Sequence, residues 1–152
     1  MKTSVKIFSF FFAVATMIAC AGAESEQLKE ARTIQEAMMK QKHNLDSTLN
    51  LKMDELGARL GVISSDTTLA TDSTKIAEYV EVKTQYSNLE NLKSKMSDWA
   101  LNIKTLPSLE DLANGVENPF GKDAKDQDIL AGVKANQSAF EELKSEIETA
   151  IQ

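Results

Sequence analysis

Leu89-Glu90-Asn91-Leu92-Lys93-Ser94-Lys95-Met96-Ser97-Asp98-Trp99-Ala100-Leu101-Asn102-Ile103-Lys104-Thr105-Leu106 decides how this chain folds. Leu89, Leu92, Met96, Trp99, Ile103 and Leu106 alternate steps of three and four without a break, the spacing that lines one face of an α-helix. Ile76, Tyr79, Val82 and Tyr86 carry the stripe backwards, and Pro107, which cannot continue a helix, closes it. The same pattern recurs on either side. Upstream, Leu28, Ala31, Ile34, Met38, Leu45, Leu49, Met53, Leu56, Leu60 and Ile63 keep mostly to three- and four-residue steps, with one gap at polar Lys42, and predict a long amphipathic helix. Downstream, Ile129, Val133, Asn136, Phe140, Leu143, Ile147 and Ala150 form the third stripe.

Two polar connections separate the stripes. Ser64 to Thr74 is rich in Ser, Thr and Asp, whose side chains bond to nearby backbone and favour turns, and Asp72 or Ser73 suits the N-cap of the second helix. From Ser108 to Gln127 the chain is punctuated by Gly115, Asn118-Pro119 and Gly121, with room for one helical turn at Leu109 to Ala113. The third helix is expected to restart near Ala124 behind Asp123. With two prolines, six glycines and 6% aromatic residues, composition favours helices over sheet. The expected fold is all-α: an antiparallel up-down-up three-helix bundle with coiled-coil-like packing over residues 28–152. Glu36 with Lys40 and Glu55 with Arg59 are i,i+4 acid-to-base pairs for its wet face. The first helix, at about 57 Å for ~38 residues, outruns a third of about 39 Å, so its ends are expected to project.

The N-terminus determines destination. Lys2 and Lys6 form a positive leader, and Ile7 to Ala19 is an uncharged apolar run, long enough for an export signal and short of the ~20 residues a membrane span needs. Met17-Ile18-Ala19-Cys20 resembles the bacterial lipobox, which implies a diacylglyceryl group on the Cys20 thiol and cleavage before Cys20. The domain plan is then a lipoprotein signal peptide at 1–19, a lipidated tether at 20–27 and the helical domain at 28–152. Cleavage after Ala21-Gly22-Ala23 also satisfies the small-x-small rule and would release a soluble protein. Cys20 is the only cysteine, which leaves it no disulfide partner within the chain. Removing Lys2 and Lys6 takes the formal net charge from −6 to −8. So acidic a chain suits neither nucleic acid nor electrostatic docking to anionic lipid.

Few residues carry the marks of chemistry. His43 is the only histidine, and Met39 one turn before it suggests a soft metal such as copper(I). One histidine beside Met38 and Met39 makes no closed ligand set, so His43 reads as a surface residue. Asp123, Asp126 and Asp128 suggest calcium, but an EF-hand loop needs Gly at its sixth position and Glu at its twelfth, where this chain has Asp128 and Lys134. An acid-rich helix start is the better reading. Gly57 and Gly61 form a G-x-x-x-G step outside any apolar 20-mer and read as a weakened, fraying helix end. Asn136 interrupts the third stripe as a polar residue that can fix register. Its Asn136-Gln137-Ser138 sequon matters only in a eukaryotic secretory host. Glu36, Glu55, Glu81, Glu90, Glu141 and Glu148 fall off the stripes, on faces expected to be wet, where nothing raises a carboxyl pKa towards catalytic use. No catalytic, cofactor-binding or metal-ligating set emerges, and no small-molecule substrate is evident.

Met38-Met39, His43-Asn44-Leu45-Asp46, Leu51-Lys52-Met53-Asp54-Glu55-Leu56, Tyr86 and Met96-Ser97-Asp98-Trp99 together resemble small Bacteroidetes lipoproteins often labelled "viral A-type inclusion protein". The resemblance implies a lipobox cysteine, a Met-rich first helix, a Met-x-Asp-Trp step in the second and a terminal helix. The label reflects coiled-coil character and names no activity. Under that resemblance, Asp66-Thr67-Thr68 and Asp72-Ser73-Thr74 also match an O-glycosylation tripeptide of the phylum, with Thr67 and Ser73 as acceptors.

The leading expectation is a non-enzymatic lipoprotein of the cell envelope, at the outer membrane, presenting its helices for structural or protein-binding work, with a protein partner or self-association. A soluble periplasmic or secreted helical chaperone or adaptor is the alternative, and a metal-handling lipoprotein a more distant one. No cofactor is expected.

Overall fold

A computed structural model describes residues 24–152; the leader, the lipobox residues Met17 to Ala19 and Cys20 lie outside the described residues. The described residues form four helices and no strand: α1 Glu26–Ser64, α2 Ser73–Asn102, α3 Leu109–Ala113 and α4 Asp126–Ala150. The protein is all-α, and each of the three long helices packs against the other two.

Cross-helix bonds fix their directions. Gln35 of α1 meets Leu106, four residues past the end of α2, while Asn50 Oδ1 accepts from Lys93 Nζ at 2.7 Å and Arg59 Nη2 meets Glu78 Oε1 at 3.0 Å, so α1 and α2 run oppositely. Between α1 and α4, Glu30 pairs with Lys134 at 2.7 Å. Further along, Gln41 to Thr48 share a cleft with Lys144, Glu148 and Ile151, so these two helices run the same way. Lys95 to Glu146 at 2.7 Å, and Asn136 Nδ2 to the carbonyl of Lys104 just past α2 at 3.3 Å, make α2 and α4 opposed. The far end of α4 therefore lies at the level of Thr48 of α1, which shares that cleft with Ile151. Beyond that level, among the described residues, α1 and α2 pack against each other without α4, over about 24 Å of helix. We call the end closed by residues 65–72 the tip and the opposite end the base.

Each helix begins for a local reason. Ser25 caps α1, its Oγ accepting from Leu28 N–H at 3.2 Å. Asp72 caps α2, as expected, accepting from Thr74 and Lys75 N–H at 2.9 and 3.3 Å. In α3, Ser108 and Asp111 cap reciprocally. The last long helix departs from expectation: it starts at Asp126, and Lys125 at its N-cap makes no side-chain cap bond.

Two apolar clusters form the core. The larger joins Met38, Leu45, Leu49 and Leu56 of α1, Val82, Leu89, Leu92 and Met96 of α2, and Phe140, Leu143 and Ile147 of α4. Trp99 packs against it, its ring centroid 5.0 Å from that of Phe140. The smaller cluster, at the base, joins Ala31, Leu106, Ile129 and Val133, with Phe120 against it. Leu106 gets there by a route its spacing did not predict. The second helix stops at Asn102, and Ile103 is extended at φ −73°, ψ 141°. Pro107 disfavours a helical Leu106, and Gln35 then grips that residue's backbone from both sides, its Nε2 donating to Leu106 O at 3.1 Å and its Oε1 accepting from Leu106 N–H at 2.6 Å.

Gly57 and Gly61 do not fray: α1 continues to Ser64. Gly57 faces Tyr86, and Gly61 has nothing within 4 Å of where a Cβ would stand. Arg59 reaches across to Glu78, while Glu55 pairs with Lys52 at 3.0 Å, so the expected Glu55–Arg59 pair is replaced.

Candidate functional site

Three places hold the residues singled out by sequence. At the tip, Asp66 organises the turn: its Oδ1 accepts from Thr68 N–H at 2.8 Å and Thr68 Oγ1 at 2.6 Å, and its Oδ2 from Lys75 Nζ at 2.5 Å. Lys75 Nζ also donates to Thr68 Oγ1 at 2.7 Å, closing the set. The Lys75 ammonium, then the Thr68 hydroxyl and amide, hold the Asp66 carboxyl well below the usual carboxylate range. Asp66 in turn raises the Lys75 ammonium. Thr67 and Ser73 stand exposed on this turn, Ser73 as the first residue of α2.

Midway along α1, His43 is exposed, Met38 is buried in the core and Met39 is 40% exposed. The pair Met39 and His43 thus brings one open thioether and one open imidazole to a convex helix surface. Among the described residues, no three His, Cys, Asp or Glu side chains gather where they could hold a metal. Glu36, Glu55, Glu81, Glu90, Glu141 and Glu148 are all exposed. Nothing in these surroundings assembles a nucleophile, a base and an oxyanion partner.

At the base, residues without a periodic signature do the fastening. Arg32, mostly buried, pairs with Glu24 through Nε and donates from Nη1 to Pro107 O at 2.5 Å. Arg32, Gln35 and the Asn136 bond to Lys104 O tie the extended stretch after α2 to α1 and α4. Asn136, expected as a seam residue, is half-buried and serves this stretch instead. Asp111 is held below the usual carboxylate range by the Ser108 hydroxyl and then its amide, which locks the short α3. Sequence reading missed Arg32 and Gln35, whose residue types belong on any wet face. The Ser108-x-x-Asp111 box, by contrast, is legible as a helix-start signature.

Among the described residues no helix is long and apolar enough to cross a membrane. No family model, curated protein or solved structure matches this chain.

Proposed function

We propose that this chain is a non-enzymatic, lipid-anchored protein of the cell envelope, at the outer membrane, whose long helices form an antiparallel up-down-up three-helix bundle that offers an exposed helical surface for structural or protein-binding work. The observation that carries the reading is Met17-Ile18-Ala19-Cys20 at the end of an apolar export run, only a few residues before a helix capped at Ser25. The directions of α1, α2 and α4 support the bundle. The resemblance to the small Bacteroidetes lipoproteins supports the anchor, and on that resemblance Thr67 and Ser73, both exposed, are proposed acceptors of O-linked sugar. No partner is specified by the chemistry of the surface beyond its acidity, which disfavours nucleic acid.

The anchor is tested by Cys20→Ser. Three acyl chains exceed the two signals needed for stable membrane residence, so wild-type protein should fractionate with membranes and carry the mass of a lipid on Cys20. The variant should be released or stall unprocessed. A wild-type N-terminus at Glu24 with no added mass would instead assign the soluble periplasmic or secreted alternative.

A further inference from the structure

The base carries an apolar cluster that the core does not use. Leu109, Leu112 and Val116 are 61%, 38% and 50% exposed and fall within eight residues. The turn after α3 holds Leu112 and Val116 near each other: Val116 N–H donates to Asp111 O at 2.9 Å and Gly115 N–H to Leu112 O at 3.1 Å. Leu112 and Val116 also share one cleft of about 450 Å³ with Gly115, Gly121 and Lys122. Gly115 and Gly121, at φ 87° and 109°, set this loop in turns that a side chain would strain. Among the described residues, the other exposed large apolar side chains are Met39, Leu51 and Val62 on α1 and Ile76, Val80 and Leu101 on α2, with no three of them within eight residues.

The path of the chain brings the start of the helical domain close to the segment that carries these residues. Arg32 grips both Glu24, where the described residues begin, and the carbonyl of Pro107, two residues before Leu109. One guanidinium thus fastens the entry of the tether to the segment that bears the cluster. From Cys20 to Glu24 there are four Cα steps, which span at most about 14 Å. A leaflet's headgroup region is itself about 5–8 Å deep. Whatever course the tether takes, a bilayer holding an acylated Cys20 lies within reach of the base.

We propose that Leu109, Leu112 and Val116 seat the base on the lipid bilayer, so that the molecule stands on its attachment with the tip pointing away. The inference rests on the lipid-anchor reading of Cys20. The occupant is a zwitterionic lipid–water interface: Glu110, Asp111, Glu117, Asp123, Asp126 and Asp128 outnumber Lys104, Lys122 and Lys125 around the cluster, and anionic headgroups would be repelled. Three side chains are too few to bind a bilayer alone. The tether supplies the effective concentration that makes so small a contact count.

The test uses the full lipidated protein reconstituted in phosphatidylcholine vesicles with and without brominated acyl chains. Trp99 is retained as the common background. Leu112→Trp and, as a second variant, Leu109→Trp place a reporter in the seat; Leu51→Trp, at an exposed site on the far half of α1, is the control. Helicity and lipid mass are checked for each. Bromine should cut the added fluorescence of the two base variants roughly twofold, as for a side chain at the headgroup–acyl boundary, and leave that of Leu51→Trp unchanged. Lipidated, vesicle-bound protein with no quenching at either base position overturns the seat and leaves the anchor standing. A blue shift without bromine sensitivity also overturns it, by assigning the cluster to a second copy of the chain. Absence of lipid on Cys20 overturns anchor and seat together.

Discussion

The lower and upper halves of the molecule are built from the same two helices under different constraints. Below Thr48 of α1, α4 closes the core, and Ala31, Met96, Val133, Phe140 and Ile147 are fully or almost fully buried. Towards the tip α1 and α2 form a ribbon in which Leu56 and Val82 are buried, flanked by half-buried Met53, Leu60, Ile63 and Tyr86. Side chains on the same stripe change status at that boundary. Ile76 continues the second-helix pattern and is 43% exposed. A stripe reports which face a helix buries, and the number of neighbours at each height decides how deeply.

The largest expected difference follows from this boundary. Phe140→Ala, in the three-helix half, should lower stability by about 3–5 kcal/mol, because the cavity it leaves is walled on every side and removes the partner of Trp99. Leu56→Ala should cost about 2 kcal/mol, since the ribbon can relax into solvent. Urea denaturation of both variants checks it. A loss at Leu56 equal to that at Phe140 would break the comparison.

Two helical glycines sharpen it further. A Cβ on Gly132 would stand 2.8 Å from Phe120 Cε1, so Gly132→Ala must displace a ring that covers the basal cluster, at a cost of about 1 kcal/mol after its gain in helix propensity. Gly61→Ala, in the ribbon, meets nothing and should stabilise by about 0.5–1 kcal/mol. Opposite shifts in melting temperature are expected, and shifts of the same sign would mean that Phe120 is loosely held.

The smallest effect is at the tip. Because the Asp66 carboxyl is depressed below its ordinary value of 3.8, the stability it lends is present above that value and is lost as pH falls through and below it. The Lys75 partner, raised above 10.5, lends its share below that value and loses it in strong alkali. The gap in melting temperature between wild type and Asp66→Asn should therefore be constant near neutrality and narrow as the solution is acidified below the ordinary carboxylate range. Solvent exposure keeps it small. A gap independent of pH down to about 2 would show that the turn depends on Asp66 shape and not on its charge.

Much of this architecture was legible. Leu89, Leu92 and Met96, then Ile129, Val133, Phe140, Leu143 and Ile147, are buried as their spacing required, Asp72 caps α2, and one helical turn occupies Leu109–Ala113. What escaped is what periodicity does not encode. Leu106 kept its place in a heptad-like count yet reached the core through extended backbone, because Pro107 and Gln35 decide its conformation. Asp123 resembled a cap, but the helix opened at Asp126. Arg59 had an acid one turn away on its own helix and took Glu78 on its neighbour. At the candidate site the exposed places of Thr67, Ser73 and His43 followed from their polar surroundings. The grip of Arg32 on Glu24 and Pro107 depends on contacts between segments 75 residues apart, which no local pattern announces.

That α1 and α4 run the same way has an electrostatic consequence. Aligned peptide dipoles give each helix a positive pole at its N-terminus and a negative one at its C-terminus. At the tip the poles of α1 and α2 are opposite and adjacent, and largely cancel. At the base the positive poles of α1 and α4 outnumber the single negative pole of α2, and that of α3 is beside them. The first turns there hold Glu26 in α1, Glu110 and Asp111 in α3, and Asp126 and Asp128 in α4, the helix whose Lys125 cap offers no side-chain acceptor. The acidity of this end is thus a counterweight to the backbone's own field, and part of what looks like surplus negative charge in the sequence is already neutralised by the fold.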